Sequence, residues 1–228
     1  MTPETRAAPA GRRRVVVIAI DGPAASGKGT LAERLARHFG YPHLESGRLY
    51  RAVAAKLLAA GQSNPEPEPE LAARMAQDLV EHDLSHPNLY SEETGLMASK
   101  VAAIPAVRDA LLHFQRDFAA HPPGGAYGVV IDGRDIGTVI CPDAQHKLFI
   151  TALPEIRAHR RLNQLRQRGA EAIHSRVLQD IIERDALDTQ RQKSPLRQAP
   201  DAHLLDTSEL DADQTFAAAL RLIEQNQA

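Results

Sequence analysis

The stretch VVVIAIDGPAASGKGT, residues 15–30, constrains the fold of this chain more than any other. Its first six residues, Val15 to Ile20, form a continuous and mostly β-branched apolar run. Such a run belongs in a strand buried on both faces, as in a parallel sheet covered by helices. Then come three glycines, a lysine and almost no bulk. Beyond them Leu31, Leu35 and Phe39 recur every four residues, the spacing of an amphipathic helix that Gly40 and Pro42 stop. A strand, a glycine loop and a helix in that order aim unhindered backbone N–H groups and a helix N-terminus at one anion-binding concavity. The pattern G-x-x-x-x-G-K runs from Gly22 to Lys28, but the next residue is Gly29 and the hydroxyl comes one position later, at Thr30. The whole loop, Gly22, Pro23, Ala24, Ala25, Ser26, Gly27, Lys28, Gly29 and Thr30, is therefore expected to cradle phosphate.

Further short apolar runs follow at GVVID (128–132), KLFIT (147–151) and HLLDT (203–207), with a weaker strand near His43 and Leu44. Helical patterns separate most of them. PEIRAHRRLNQLRQRG opens on Pro154 and closes on Gly169, and DADQTFAAALRLIEQ carries Phe216, Leu220 and Ile223 on one face. This alternation predicts an α/β fold with about five parallel strands flanked by helices. Residues 1–14, MTPETRAAPAGRRR, lack periodicity and read as a disordered tail, and PEPEPE (65–70) reads as a stiff solvated connector. No internal repeat is present.

Composition narrows the function classes. At 228 residues the chain can bury one sizeable core. The single Cys141 cannot form an intramolecular disulfide, and no apolar stretch has signal-peptide or membrane-span length, so a cytoplasmic protein without membrane contact is expected. A net charge of −2 and 4% aromatic residues with no Trp argue against nucleic acid as the partner and favour a small anionic ligand. Cys141 and the ten histidines show no metal-ligand spacing.

Four later stretches sharpen the expectation: LESGRLYRAVA (44–54), ASKVAAIPAVRDALL (98–112), IDGRDIGTVICPDA (131–144) and IIERDALDTQRQKSPL (181–196). Together with the glycine loop, in this order and spacing, they resemble the bacterial cytidylate kinase family over nearly all of residues 15–225. The resemblance implies a P-loop kinase with a parallel core sheet. A core (15–44, 126–169 and 198–228) would carry an acceptor-binding lobe (45–125) and a short lid (170–197). The implied reaction is ATP-dependent phosphorylation of CMP and dCMP with Mg²⁺, by a monomer.

Phosphoryl transfer between two anionic nucleotides demands cations and the exclusion of water. The acceptor phosphate is already an anionic nucleophile, so no general base is assigned. Lys28 is expected on the donor phosphates, with Arg51, Arg134 and Arg191 around the transferred group. By the resemblance, Arg157 joins the ATP site and Thr30 is the candidate Mg²⁺ ligand. Ser46, Ser99, Arg108 and Asp135 would read the cytosine, whose N4 amino group needs an acceptor and whose N3 and O2 need donors. Arg184, Asp188 and Arg191 follow at spacings of four and three, on a helix whose other face carries Val177, Leu178, Ile181 and Ile182. The resemblance assigns Arg184 and Asp188 to the ribose hydroxyls, although Leu187 breaks the family's more charged pattern there.

Two alternatives remain open at this level: another P-loop small-molecule kinase, such as one using Asp132 as a base on a hydroxyl acceptor, and a non-catalytic nucleotide-binding switch. No N-K-x-D-like guanine motif is present, which weighs against a GTPase. One departure from the family's long form stands out. Between Leu79 and Ala98 the chain has only VEHDLSHPNLYSEETGLM, so the insert's antiparallel strands are expected to be largely missing.

Overall fold

The structure, a computed structural model, describes residues 15–62, 66–167, 169 and 171–225. The expected N-terminal tail lies outside them. Five strands, β1 (Val16–Asp21), β2 (His43–Glu45), β3 (Gly128–Gly133), β4 (His146–Thr151) and β5 (His203–Asp206), form one sheet of order β2-β3-β1-β4-β5. Every pairing is parallel. All five strands fall where the apolar runs placed them.

The central β1 explains why its sequence alternates nothing. Ile18 and Ile20 pack with Leu148 and Ile150 under α1 (Lys28–Phe39) and α8 (Ala212–Gln225), through Leu31, Leu35, Ala219 and Ile223. Val17 and Ala19 face the opposite layer with Val129, Ile131 and Ala119 of α5 (Pro105–Ala120). Both faces are covered, so both must be apolar. Helix α1 ends at Gly40, whose left-handed φ of 67° lets its N–H close back onto the Ala36 carbonyl.

A second core lies between β2 and β3 in sequence. Leu49, Val53 and Leu57 of α2 (Ser46–Ala59) pack against Ala72 and Ala76 of α3 (Pro69–Gln77), Val101 of α4 (Glu92–Val101), and Val107 and Leu111 of α5. Residues 80–97 hold a short 3₁₀ turn, Glu81–Ser85, and the start of α4, with no strand. The connector assigned to 65–70 needs correction, because Pro67 is buried and Pro69 opens α3. Proline suits a first helical position, where its missing N–H would have no partner anyway. Helices α6 (Pro154–Gln167) and α7 (His174–Gln190) pack on each other through Ala158, Leu162, Val177 and Ile181. Ile182, placed by sequence on that apolar face, is instead exposed.

Candidate active site

The glycine loop follows β1 at the C-terminal edge of the sheet, where a parallel α/β fold opens its crevice. Gly22 has φ 153°, and a Cβ there would stand 2.1 Å from the Ile150 carbonyl oxygen, so the loop can leave the strand only as glycine. Ala25 sits at φ 58°, a conformation costing an L-residue about 1 kcal/mol. The loop is held from outside by α6 and the end of β5. Arg160 donates to the Ser26 carbonyl at 3.2 Å and to the Thr207 carbonyl at 2.6 Å, and the buried Thr207 hydroxyl lies 3.0 Å from the Ser26 oxygen. The N-cap of α1 is Gly27, which offers no side chain, and no acidic residue occupies the first turn. The N–H groups of Lys28, Gly29 and Thr30 therefore have no intrahelical partner and no competing carboxylate, which leaves them to an anion.

A cavity of about 1020 Å³ opens over this loop. Of the residues singled out from sequence, Ala24, Ala25, Lys28, Gly29, Thr30, Arg51, Ser99, Arg134 and Arg184 line it. Among the described residues, buried Lys28 donates back to its own loop, to the Pro23 carbonyl 3.4 Å away. Burial, with help from Arg134 and Arg184, pulls its pKa down to about 7. Burial likewise lowers Arg51 and Arg134, and Arg184 is pushed well below its usual range by burial and then by Arg134, Arg51, Arg161 and Arg191. The Arg184 Nε is buried with no hydrogen-bond partner among the described residues. So many mutually repelling cations make sense only opposite several negative charges.

Ser46, Arg108, Asp135, Asp188 and Arg191 sit beside the cavity rather than on its wall. Arg108 and Asp135, 6% and 5% exposed, form a direct ion pair, with the guanidinium over the Tyr50 ring, 5.6 Å from its centroid. Asp188 is 1% exposed and accepts from Arg134 Nε at 2.7 Å and from Arg191. Arg191 lies just past the end of α7 rather than on it, and folds back onto Asp188. Ser99 donates to the Gly95 carbonyl one turn earlier. Arg157 is buried and does not line the cavity; its guanidinium is spent on the Ala152 and Ala24 carbonyls and on Asp185, 2.6 Å away.

Sequence reasoning missed several residues. Arg161 lines the cavity close enough to shift Arg51 and Arg184. Asp132, which the sequence offered only as a base in the alternative kinase, is 3% exposed and holds His43 Nε2 at 2.8 Å on the cavity wall. Arg51 Nη1 donates to the Leu89 carbonyl at 2.9 Å, so the shortened insert supplies its support. For a divalent cation the cavity wall offers hard oxygen, the Thr30 hydroxyl and the Asp132 carboxylate among them, with further carboxylates at Glu33, Glu45, Glu171, Asp180 and Glu183, the donor type that Mg²⁺ takes. Among the described residues, no cluster of three or more His, Cys, Asp or Glu could hold a metal on its own, and no helix is long and apolar enough to cross a membrane.

A phosphate cradle between a central parallel strand and its helix, ringed by arginines from α2, the residue after β3, α6 and α7, defines a P-loop kinase. The chain belongs to the cytidylate kinase family, whose model matches residues 18–225. It is 56% identical over 207 residues to the "Cytidylate kinase" of Paramagnetospirillum magneticum, covering 91% of this chain and 97% of that one. The "Cytidylate kinase" of Bradyrhizobium sp. is 51% identical over 209 residues, 92% and 96% of the two chains. A crystal structure of an uncharacterized protein from Eubacterium ventriosum shares the fold, with a TM-score of 0.53 at 16% identity over 92% of this chain and 98% of that one.

Proposed function

We propose that this chain transfers the γ-phosphoryl group of ATP to the phosphate of CMP, and of dCMP, releasing ADP and CDP or dCDP. The observation that carries this reading furthest is the set of buried and mutually repelling cations, Lys28, Arg51, Arg134 and Arg184, around one phosphate cradle. Residues 15–44, 126–169 and 198–228 act as the core, 45–125 as the acceptor lobe and 170–197 as the lid.

Donor phosphates accept from the free N–H groups at the start of α1 and from Lys28, whose contact strengthens as charge moves onto the leaving oxygen. The acceptor phosphate needs no base. Arg51, Arg134 and Arg191 bring it in line and neutralise the transferred group, which makes catalysis a matter of positioning and electrostatics. Mg²⁺, held through Thr30 and Asp132 with the nucleotide phosphates, would supply further charge neutralisation. Arg157 serves ATP indirectly, through the Ala24 carbonyl. The Arg108–Asp135 pair acts on the base as a unit, the carboxylate accepting from the N4 amino group and the guanidinium donating to N3 or O2, with Ser46 and Ser99 completing the pocket. Arg184 and Asp188 take the ribose hydroxyls. The chain acts on small molecules rather than nucleic acid, as a monomer in the cytoplasm; its net charge of −2 and low aromatic content support the first of these.

A coupled ADP-release assay across CMP, dCMP, UMP, AMP and GMP tests the proposal. UMP presents an acceptor where CMP has its amino group and a donor at N3, so two buried contacts become mismatched. CMP and dCMP should exceed the others by about 10² to 10⁴ in kcat/KM. A preference for AMP, or comparable use of UMP, would overturn the cytosine assignment.

A further inference from the structure

The segment that carries Arg134 and Asp135 leaves the end of β3 and turns at once into a single wide helical turn, Ile136–Ile140. Its N-terminal N–H groups, those of Ile136 and Gly137, belong to the class that a turn cannot satisfy from within. Asp135 is the residue before the turn, and its side chain gives no cap. Both N–H groups are taken instead by one carboxylate from another strand. Asp21, the last residue of β1, accepts from Ile136 through Oδ1 at 2.8 Å and from Gly137 through Oδ2 at 2.7 Å. The far end of the same turn is held by Arg116 of α5, which donates to the Ile140 and Val139 carbonyls at 3.2 and 2.9 Å. A negative group at the start and a positive one at the end match the turn's own dipole.

Asp21 is 5% exposed and stands directly across the sheet from Gly133, the residue before Arg134. It is also the residue before Gly22, where the phosphate loop begins. One buried carboxylate thus joins the donor cradle to the backbone that sets Arg134 and Asp135. Burial is costly for a carboxylate and drives its pKa up to about 7, against the two N–H bonds that lower it. A site that needed only a filled space there would be better served by an apolar residue.

We propose that Asp21 is a positioning residue that holds the Arg134–Asp135 corner against the phosphate loop, and that both acceptor alignment and the choice of cytosine depend on it. The inference rests on the assignment of Arg134 and Asp135 to the acceptor nucleotide. Asp21 itself touches neither nucleotide. Replacing it with asparagine keeps the shape but turns one acceptor into a donor facing an N–H group, so the corner must shift.

The test is steady-state kinetics of Asp21→Asn with CMP, UMP and ATP varied in turn, at a temperature below the variant's own unfolding midpoint. KM for CMP should rise and the CMP-to-UMP preference in kcat/KM should fall, each by about tenfold or more, while KM for ATP stays within about twofold. A cap that serves only stability would lower the midpoint and leave both readings alone, and that result would overturn the proposal. If Asp21→Asn does not fold, Gly137→Ala decides in its place. The added methyl would lie 3.2 Å from Lys147 Cδ, a tight contact, and 3.4 Å from Asp21 Oδ2, an ordinary one, so relief of the contact with the Lys147 stem moves the turn relative to the carboxylate by a few tenths of an ångström. The same two readings are expected to move, and their constancy would overturn the role of Asp21. The base-site assignment and the role of Asp21 fail separately: a wild-type enzyme without preference for CMP refutes the first, whereas a selective wild type with an equally selective variant refutes the second.

Discussion

Lys28 offers a prediction whose size follows from its surroundings. In the protein alone, burial and the nearby Arg134 and Arg184 hold its pKa at about 7, where an ordinary lysine titrates at 10.5. Bound triphosphate is an opposite charge at close range and must raise that value, so the complex holds the proton more tightly than the free protein does. The sign follows: as pH rises above 7, free Lys28 loses its proton, ATP binding has to restore it, and affinity falls. Between pH 7.5 and 9 the protonated fraction drops from about a quarter to about a hundredth, so Kd for ATP should rise about 25-fold. This window lies above the titration of ATP's own terminal phosphate. Calorimetry at fixed Mg²⁺ in buffers of different ionisation enthalpy should also show uptake of roughly one proton per ATP at the upper end of the range. Lys28→Met should abolish both the slope and the proton uptake, and should lower kcat by on the order of 10². A Kd that is flat from pH 7.5 to 9, with heats independent of buffer, would refute the reasoning about the lysine's environment.

Three further outcomes probe separate parts of the site. Asp188→Ala removes the shared partner of Arg134 and Arg191, so KM for CMP should rise and kcat should fall while Kd for ATP is nearly unchanged; equal losses for both nucleotides in equilibrium binding would mark Asp188 as a structural lid residue. Thr207→Val should do the reverse, because its hydroxyl lies 3.0 Å from the Ser26 carbonyl and accepts from Arg160 at 2.9 Å; ATP should weaken with CMP unaffected, as product-inhibition patterns would reveal. Leu57→Ala, at a fully buried position in the core of α2 to α5, should cost about 2 to 5 kcal/mol in urea unfolding, and a loss below about 1 kcal/mol would mean that this helical layer is loosely packed.

What the sequence by itself determined is local. A β-branched run, a glycine loop and a four-residue apolar repeat each act within a few residues, so the five strands, the flanking helices and the phosphate cradle could be placed before any packing was known. Gly22 and Lys28 belong to this class because backbone geometry and short-range helix formation decide them. The arginines proposed to face the nucleotides needed the resemblance, since a lone arginine on a helix carries no local mark of its destination. The tertiary structure alone decided the partnerships. Asp21 meets the Ile136 and Gly137 N–H groups across more than a hundred residues of chain, Arg134 meets Asp188 across 54, and Arg160 and Thr207 reach Ser26 from the far end of the sequence. None of these has a periodicity to detect. A buried polar group must find a partner, yet which one it finds is settled only when β1 lies beside β3 and β4 and the helices close over them. The same holds for Arg157, a nucleotide contact by the resemblance alone, which packing turned inward to hold the loop from behind.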